Sequence, residues 1–204
     1  MKAIGICGST RINATDFAVK RALEILENEY GVETTYFTVR GKKMNMCMHC
    51  NDCIKKNART CTIYNDDISH INEELFSSDI IILGSPIYEM GMSPQMSTIL
   101  SRTRCTYNII KENPNFFYDK LGMAIAVGGA RNGGQEMTIN SLHGFFHTNG
   151  IIPVGASIGV YNGAAIWSKD TVPFTEEVDE YGIKNLDTLA RKVGETLKLI
   201  KGNK

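Results

Sequence analysis

The sequence lacks an excess of charge of either sign, because its 22 Lys and Arg residues are matched by 22 Asp and Glu residues among 204. Balanced charge gives no electrostatic reason to expect nucleic acid or a membrane surface as a partner. The chain has no apolar run of the roughly 18 residues that cross a bilayer, and it opens without a long apolar signal region. We therefore expect a cytoplasmic protein that binds neither nucleic acid nor membranes.

Cysteine is also scarce, with six in the chain, far below the density of small secreted domains held together by disulfides. Four of the six nevertheless crowd into one stretch, Cys47, Cys50, Cys53 and Cys61, with the spacing C-x2-C-x2-C-x7-C. Three thiols at intervals of three residues can surround one compact group from a single loop, and the fourth completes a four-thiolate cage. Such a cage is typical of an iron–sulfur cluster.

Other interpretations of these cysteines stay open. Structural zinc usually takes its thiolates from two separated C-x2-4-C pairs, whereas here three thiols follow in immediate succession. His49 could also be a zinc ligand, although four thiolates already complete a zinc site. The bacterial ferredoxin run ends with a gap of three residues and a proline, but here the last gap is seven and no proline follows Cys61. We expect one [4Fe–4S] cluster, with zinc and disulfides as the alternatives.

The dinucleotide fingerprint G-x-G-x-x-G is absent as well. The chain instead alternates short apolar strands with amphipathic helices, which indicates βαβ units and a parallel sheet. The predicted strands cover 2–7, 32–39, 79–84, 121–127 and 151–155; the predicted helices cover 15–29, 67–77, 134–148 and 182–201, and one more starts at Ser93-Pro94. This pattern predicts an α/β fold, a flavodoxin-like doubly wound five-stranded parallel sheet of order 2-1-3-4-5. We expect a single domain over 1–204, with a Cys-rich insertion at 40–66 after strand two.

In such sheets ligands bind beyond the carboxyl ends of the strands, so the loops that follow strands one, three and four are informative. The first loop, 8–15, offers hydroxyl, amide and guanidinium donors at the start of a helix, where an anion is favoured. Without the dinucleotide fingerprint, a monophosphate is the better fit. A simple capped helix start is the structural alternative.

The loops after strands three and four contain features suited to a flat ring. In the segment 84–91, Pro86 fixes the backbone and Tyr88 offers an aromatic face, although an ordinary turn with a surface tyrosine explains this segment equally well. The segment 128–136 holds four glycines, which let a backbone approach a flat ligand closely. Glu136 then falls in the first turn of a helix, where it favours a capping role.

Together these three segments resemble the NADPH-dependent FMN reductase-like flavoproteins. With the four cysteines inserted after strand two, the chain is more narrowly similar to the iron–sulfur flavoproteins of anaerobic archaea and bacteria over about residues 2–155. The resemblance implies FMN and one [4Fe–4S] cluster per subunit, ferredoxin as electron donor, and a homodimer or homotetramer. It also implies that electrons pass through the cluster to FMN and on to an acceptor such as oxygen or peroxide.

The resemblance also assigns residues to the FMN, in three groups. They are Ser9, Arg11, Asn13 and Thr15 for the phosphate; Pro86, Ile87, Tyr88 and Gly91 for one side of the ribityl chain and ring; and Gly128, Gly129, Asn132, Gly133 and Gly134 for the ring edge. Many relatives have a longer phosphate loop with Asn-Gly-Asn-Thr, where this chain has only Asn13-Ala14-Thr15. Nothing beyond residue 156 can be assigned in this way.

Two other functions remain open. The chain could be an NAD(P)H-dependent FMN or quinone reductase whose Cys loop is structural or binds zinc. It could also be a redox sensor without catalysis, although no DNA-binding module accompanies the domain.

Overall fold

The computed structural model describes residues 1–202 and arranges them as a central sheet between two layers of helices. The strands are β1 (Lys2–Cys7), β2 (Glu33–Thr38), β3 (Ile80–Tyr88), β4 (Gly91–Met92), β5 (Leu121–Gly128), β6 (Ile152–Pro153) and β7 (Ala164–Trp167). The helices are α1 (Ala14–Tyr30), α2 (Asp52–Lys55), α3 (Ile71–Ser77), α4 (Pro94–Ser101), α5 (Thr106–Glu112), α6 (Gln135–Asn149) and α7 (Glu180–Gly202), with 3-10 turns at Arg102–Cys105 and Glu176–Val178.

The main strands run parallel in the order β2-β1-β3-β5-β6. Because β5 is the fourth long strand, this is the predicted order 2-1-3-4-5, and the flavodoxin-like fold is confirmed. The aliphatic run Ile80–Leu83 at the start of β3 is fully buried, as is β5. Strands covered by helices on both faces take this continuous apolar character.

The sheet nevertheless has seven strands in the described residues, where the sequence predicts five. The predicted fifth strand, 151–155, is reduced to the two residues of β6, which pair with Leu121 and Gly122 at the start of β5. The chain then loops out and returns as β7, which pairs with the end of β5 through Ile125–Gly128. The four residues of β7, AAIW, lie between the predicted strand 151–155 and the predicted helix 182–201, in a segment that the sequence suggests is a Gly-rich loop. The strand is short and alanine is a weak strand former, so the sequence does not predict it.

The other additional strand, β4, forms a tight hairpin with the end of β3. Tyr88 pairs with Gly91, and the two residues between them, Glu89 and Met90, have φ of 47° and 62°. Positive φ at both central residues defines the type I′ turn that joins two-residue hairpins. The segment 84–91, predicted as a loop, is therefore an extension of β3 followed by this turn.

The predicted helix 67–77 is also shorter than expected, since α3 begins at Ile71 and turns occupy the residues before it. The sequence also suggests Asp66 or Asp67 as the cap of this helix, but this is wrong, since the residue before α3 is His70. Asp66 instead forms a buried ion pair with Arg102, and the Asp67 carboxylate accepts a bond from the Lys43 backbone N–H. Ser93 does cap α4, because its Oγ accepts from the Met96 N–H at 3.1 Å, and Pro94 occupies the first helical position.

The core is divided between the two faces of the sheet. Along β1, Ala3 and Cys7 face one cluster with α1 and α7, while Ile4 and Ile6 face another with α3, α4 and α6. This alternation follows from the two-residue period of a strand. No helix within residues 1–202 combines the length and the apolarity needed to pass through a bilayer.

Candidate functional site

A cleft between the strand-end loops and a cavity lined by cysteines both lie at the carboxyl edge of the sheet. β1 and β2 are parallel, with Cys7 opposite Thr38, so both strands end at the same edge. β1 leads into the loop before α1, and β2 leads into the cysteine segment. The cleft among the strand-end loops and the cysteine cavity therefore share the edge at which doubly wound sheets bind ligands.

The first wall of the cleft is the loop between β1 and α1. Ser9 Oγ accepts a hydrogen bond from the Arg11 backbone N–H and lies 3.1 Å from the Arg11 carbonyl oxygen, which holds the turn closed. The Thr15 side chain is buried in the first turn of α1, and Arg11 is exposed at the rim. Because α1 is 17 residues long, its free N–H groups and its dipole favour an anion at this end.

Asn13 connects this loop to a distant segment of the chain. Its Nδ2 donates to the Thr171 carbonyl oxygen at 2.9 Å, and its Oδ1 accepts from the Phe174 N–H at 2.8 Å. The amide that the sequence assigns to the phosphate is thus hydrogen-bonded to backbone on both sides. Contact between Asn13 and a phosphate stays a prediction, while its part in fixing 171–174 is visible.

The second wall comes from the end of β3, through Pro86, Ile87 and Tyr88. The hairpin turn then packs on the start of α6, where Gly134 has φ of 104° and a Cβ would lie 2.7 Å from the Met90 Cα. Only glycine fits this contact without strain. Gly134 therefore allows the hairpin to pack closely against the start of α6.

The third wall is built by the end of β5 and the segment after β7. The Gly128 carbonyl oxygen accepts from the Ser168 N–H at 2.8 Å, and the Gly129 carbonyl oxygen accepts from Trp167 Nε1 at 2.8 Å. A Cβ on Gly129 would overlap the Asp170 carboxylate. The glycines after β5 thus admit the segment 167–170, which the sequence did not connect to the site.

The cleft enclosed by these walls is open to solvent and has a volume of about 130 Å³. Its lining includes eight of the residues predicted to bind FMN: Ser9, Arg11, Asn13, Thr15, Pro86, Ile87, Tyr88 and Gly129. The other five are not part of this lining: Gly91, Gly128, Asn132, Gly133 and Gly134. Ala14, Val127, Ser168 and Asp170 complete the lining.

Sequence reasoning missed Ser168 and Asp170 for the same reason that it missed β7. Had AAIW been identified as a strand, the polar residues after it would have been placed at the carboxyl edge with the other loops. The backbone of this segment has an unusual conformation, since Lys169 and Asp170 both have φ of 52°. Left-handed backbone at consecutive non-glycine residues fixes the Asp170 carboxylate beside Gly129.

The four cysteines of the insertion line a second, small cavity of about 20 Å³. The backbone N–H of His49 donates to Cys47 Sγ at 3.4 Å, and that of Tyr64 donates to Cys61 Sγ at 3.5 Å. Burial raises the pKa of the Cys53 thiol, and the nearby Cys61, Cys47 and Cys50 raise it further. Four thiols around one space are a fitting donor set for an iron–sulfur cluster, whose ligands are thiolates.

The thiols do not gather as ligands of one ion. Within residues 1–202, no three His, Cys, Asp or Glu side chains form a group that could hold a single metal ion. Cys105 is close by but does not line the cavity; burial raises the pKa of its thiol to about 12, so it stays protonated. Cys7 is likewise a buried thiol, in β1.

A buried ion pair fixes the ends of the cysteine segment. Arg102 Nη1 and Nη2 donate to the Asp66 carboxylate at 2.8 and 3.1 Å, and Nη1 also donates to the Asn45 carbonyl oxygen at 2.8 Å. Burial alone would raise the pKa of Asp66, but hydrogen bonds from Arg102 and Asn45 hold it below its ordinary value. The clamp, defined here as Asn45, Asp66 and Arg102, thus joins residues before Cys47 and after Cys61.

Comparison with known proteins identifies the family. Residues 1–165 match the model of the NADPH-dependent FMN reductases. An iron–sulfur flavoprotein of Methanocaldococcus jannaschii is 42% identical over 99% of this chain and 100% of its own length. Another, of Archaeoglobus fulgidus, is 41% identical over 98% of each chain. The chain belongs to the iron–sulfur flavoproteins. A redox role as a flavoprotein, with FMN as the flavin, follows for this chain from the family.

Solved structures similar to this iron–sulfur flavoprotein support its fold. A flavone reductase superposes with a TM-score of 0.68 at 19% identity, over 100% of this chain and 65% of its own. RosB, solved with a bound 8-demethyl-8-formylriboflavin-5′-phosphate, gives a TM-score of 0.71 at 14% identity over 99% of this chain and 81% of its own. At such identities the likeness establishes the flavodoxin-like architecture alone.

Proposed function

We propose that this chain passes electrons from a ferredoxin through a [4Fe–4S] cluster to FMN, and from there to an acceptor such as oxygen, peroxide or another small oxidant. The observation that carries the proposal is the lining of one cavity by Cys47, Cys50, Cys53 and Cys61, at the sheet edge that also forms the cleft. When bound, the cluster supplies one-electron transfer and FMN exchanges one or two electrons; the protein supplies position and electrostatics.

Different residues of the cleft would bind different parts of FMN. Ser9, Arg11 and Thr15 surround the start of α1 and would receive the phosphate, because the helix end supplies N–H donors and positive potential there. Pro86, Ile87 and Tyr88 would cover one side of the ribityl chain and ring. The backbone at Gly129 would meet the ring edge, where the absence of a Cβ leaves room for Asp170.

The spacing of the cysteines supports a cluster over zinc. Structural zinc usually takes its thiolates from two separated pairs, whereas Cys47, Cys50 and Cys53 follow one another at intervals of three residues. Together with Cys61 they would hold a cluster through four thiolates. The backbone N–H groups that reach Cys47 and Cys61 are the contacts that tune such a group.

The surface around the cysteines suits an acidic donor protein. Lys42, Lys43, Lys55 and Lys56 are exposed on the insertion, and Met46 and Met48 are 70% and 60% exposed beside them. Positive charge steers acidic partners and raises their association rate, and flexible methionines adapt to different contact surfaces. We propose a cytoplasmic homodimer or homotetramer as the working form.

The first prediction tests this electron route. Anaerobically purified protein is expected to contain FMN together with iron and acid-labile sulfide, and reduced ferredoxin is expected to bleach the flavin absorbance. Cys50→Ala should lose the cluster and slow this bleaching at least tenfold, because one corner of the cage is missing. Cys105→Ala is the matched control, since Cys105 is a buried thiol outside the cavity.

If Cys50→Ala kept the wild-type rate of flavin reduction, the route through the cluster would be wrong. The match of residues 1–165 to NADPH-dependent FMN reductases favours a second candidate, a direct NAD(P)H-dependent FMN or quinone reductase. Stopped-flow mixing with NADPH separates the two. Rapid bleaching by NADPH that is unaffected by Cys50→Ala would select the second candidate.

A further inference from the structure

Arg102 borders the cysteine cavity while being almost completely buried. The residue is 3% exposed, and it lines the cavity together with the four cysteines and Tyr64. Its guanidinium lies 5.3 Å from the centre of the Tyr64 ring, and the Tyr64 N–H donates to Cys61 Sγ. The positive charge of Arg102 therefore lies beside the residues that surround the four thiols.

Two of the three guanidinium nitrogens of Arg102 are committed to the clamp. Nη1 and Nη2 hold the Asp66 carboxylate and the Asn45 carbonyl oxygen. The third, Nε, is buried and has no hydrogen-bond partner in the part of the chain that the structure describes. Buried donors without an acceptor are rare, because leaving one unpaired loses the hydrogen bond that it makes to water in the unfolded chain.

The cavity next to Arg102 is the place where an acceptor is expected. The group that four thiolates hold carries sulfur atoms of high negative charge, and hydrogen bonds to those sulfurs help to set its reduction potential. The three clamp bonds fix the plane of the guanidinium, so Nε–H cannot turn toward another partner. We propose that Arg102 donates this hydrogen bond to a sulfur of the cluster and thereby raises the cluster's reduction potential. The inference rests on the proposed [4Fe–4S] cluster.

The direction of the effect follows from charge. The reduced cluster carries one more negative charge than the oxidised one, so an N–H donor and a nearby cation stabilise the reduced form more. Removing them should make reduction harder and move the midpoint potential to more negative values. A purely structural clamp would change the stability of the insertion and leave the potential unchanged.

Arg104 supplies a matched comparison at the same cavity. It also lines the space, but its Nε already donates to Asn51 Oδ1 at 3.3 Å and its side chain is more exposed. Substitution of Arg104 removes one positive charge from the cavity without removing an unpartnered donor. The two arginines therefore separate the effect of the donor from that of net charge.

The test is an EPR-monitored redox titration of anaerobically reconstituted protein, with iron and sulfide contents measured on the same samples. The main variant combines Arg102→Met with Asp66→Asn, which removes a buried pair of opposite charges together and so leaves no lone charge in the interior. Its cluster is expected at a midpoint potential more negative than that of wild type. Arg104→Met is expected to produce a smaller shift, although it changes the net charge and the double variant does not.

A double variant with a full cluster and the wild-type potential would overturn the inference, and so would an Arg104→Met shift of equal or greater size. If the double variant takes up no iron, Arg102→Lys is measured instead, because lysine keeps the positive charge but lacks the fixed Nε–H. A wild-type midpoint potential in Arg102→Lys would also overturn the inference. Wild-type protein without iron and sulfide would instead refute the proposed cluster. Chemical denaturation of the apo forms reports the clamp's structural contribution separately.

Discussion

At the scale of single residues, Asn13 shows how one side chain can hold distant parts of a site together. The amide joins the loop before α1 to the backbone of Thr171 and Phe174, two partners about 160 residues away along the chain. The segment 168–174 in turn brings Ser168 and Asp170 into the cleft. Asn13 therefore connects the loop before α1 with the segment that completes the cleft.

We predict that Asn13→Ala lowers the free energy of unfolding by about 0.5–1.5 kcal/mol, because it removes an exposed hydrogen bond to the Thr171 carbonyl oxygen and a partly buried one from the Phe174 N–H. Urea denaturation measures this loss. Thr10→Ala is the control, since Thr10 is exposed in the same loop and should change the stability little. Wild-type stability in Asn13→Ala would contradict the structural role.

The same variant distinguishes the two roles of Asn13 in ligand binding. If the amide only positions the segment 168–174, FMN and riboflavin should lose affinity by the same factor in Asn13→Ala. If the amide contacts the phosphate, as the sequence predicts, FMN alone should weaken. Quenching of flavin fluorescence gives both affinities.

At the scale of elements, two glycines control how α6 meets the sheet. Gly122 on β5 lies under the Phe146 ring, and a Cβ there would come within 2.6 Å of the ring carbons. Gly144 lies on α6 itself, is exposed, and a Cβ there would have no neighbour within 4 Å among the described residues. One glycine is required by packing, and the other is not.

Alanine should therefore have opposite effects at the two positions. Gly122→Ala is expected to lower stability by about 1–3 kcal/mol through overpacking against Phe146. Gly144→Ala is expected to raise it by about 0.5–1 kcal/mol, because alanine has less backbone freedom to lose on forming a helix. Thermal and urea unfolding of the apo protein measure both changes. A stabilised Gly122→Ala variant would show that α6 can move away from β5 at little cost.

At the scale of the whole molecule, the cleft joins parts of the chain that are distant in sequence. Its lining comes from the loop after β1, the end of β3, the end of β5 and the segment after β7. A ligand that binds all of them can do so only in the folded state. Binding should thus stabilise the entire fold through mass action.

FMN at one hundred times its dissociation constant is expected to raise the free energy of unfolding by about 2.7 kcal/mol, or roughly 5–10 °C in the melting temperature for a chain of this size. Differential scanning calorimetry of the apo protein with added ligand measures the shift. Riboflavin at the same concentration should stabilise less, because it lacks the phosphate that the start of α1 would bind. Equal shifts with both ligands would contradict phosphate binding at that helix.

Much of the architecture could be read from the sequence because its signals are local. The aliphatic run in β3, the apolar period of α1 and Ser93-Pro94 at the start of α4 each predict their element from nearby residues alone. The split of the fifth strand could not be predicted in this way. β7 is stabilised by its pairing with β5 and by burial of Ala164 and Ile166, and neither leaves a strong local pattern.

The sequence by itself determined the order of the main strands, the cysteine set and the three loops that follow β1, β3 and β5, because spacing and periodicity encode them directly. Only the tertiary structure decided that Asn13 holds a distant segment, that Asp170 enters the cleft, and that Asp66 pairs with Arg102 instead of capping a helix. These contacts join residues far apart in the chain. Their partners are selected by how the elements pack, and no pattern within a single segment contains that information.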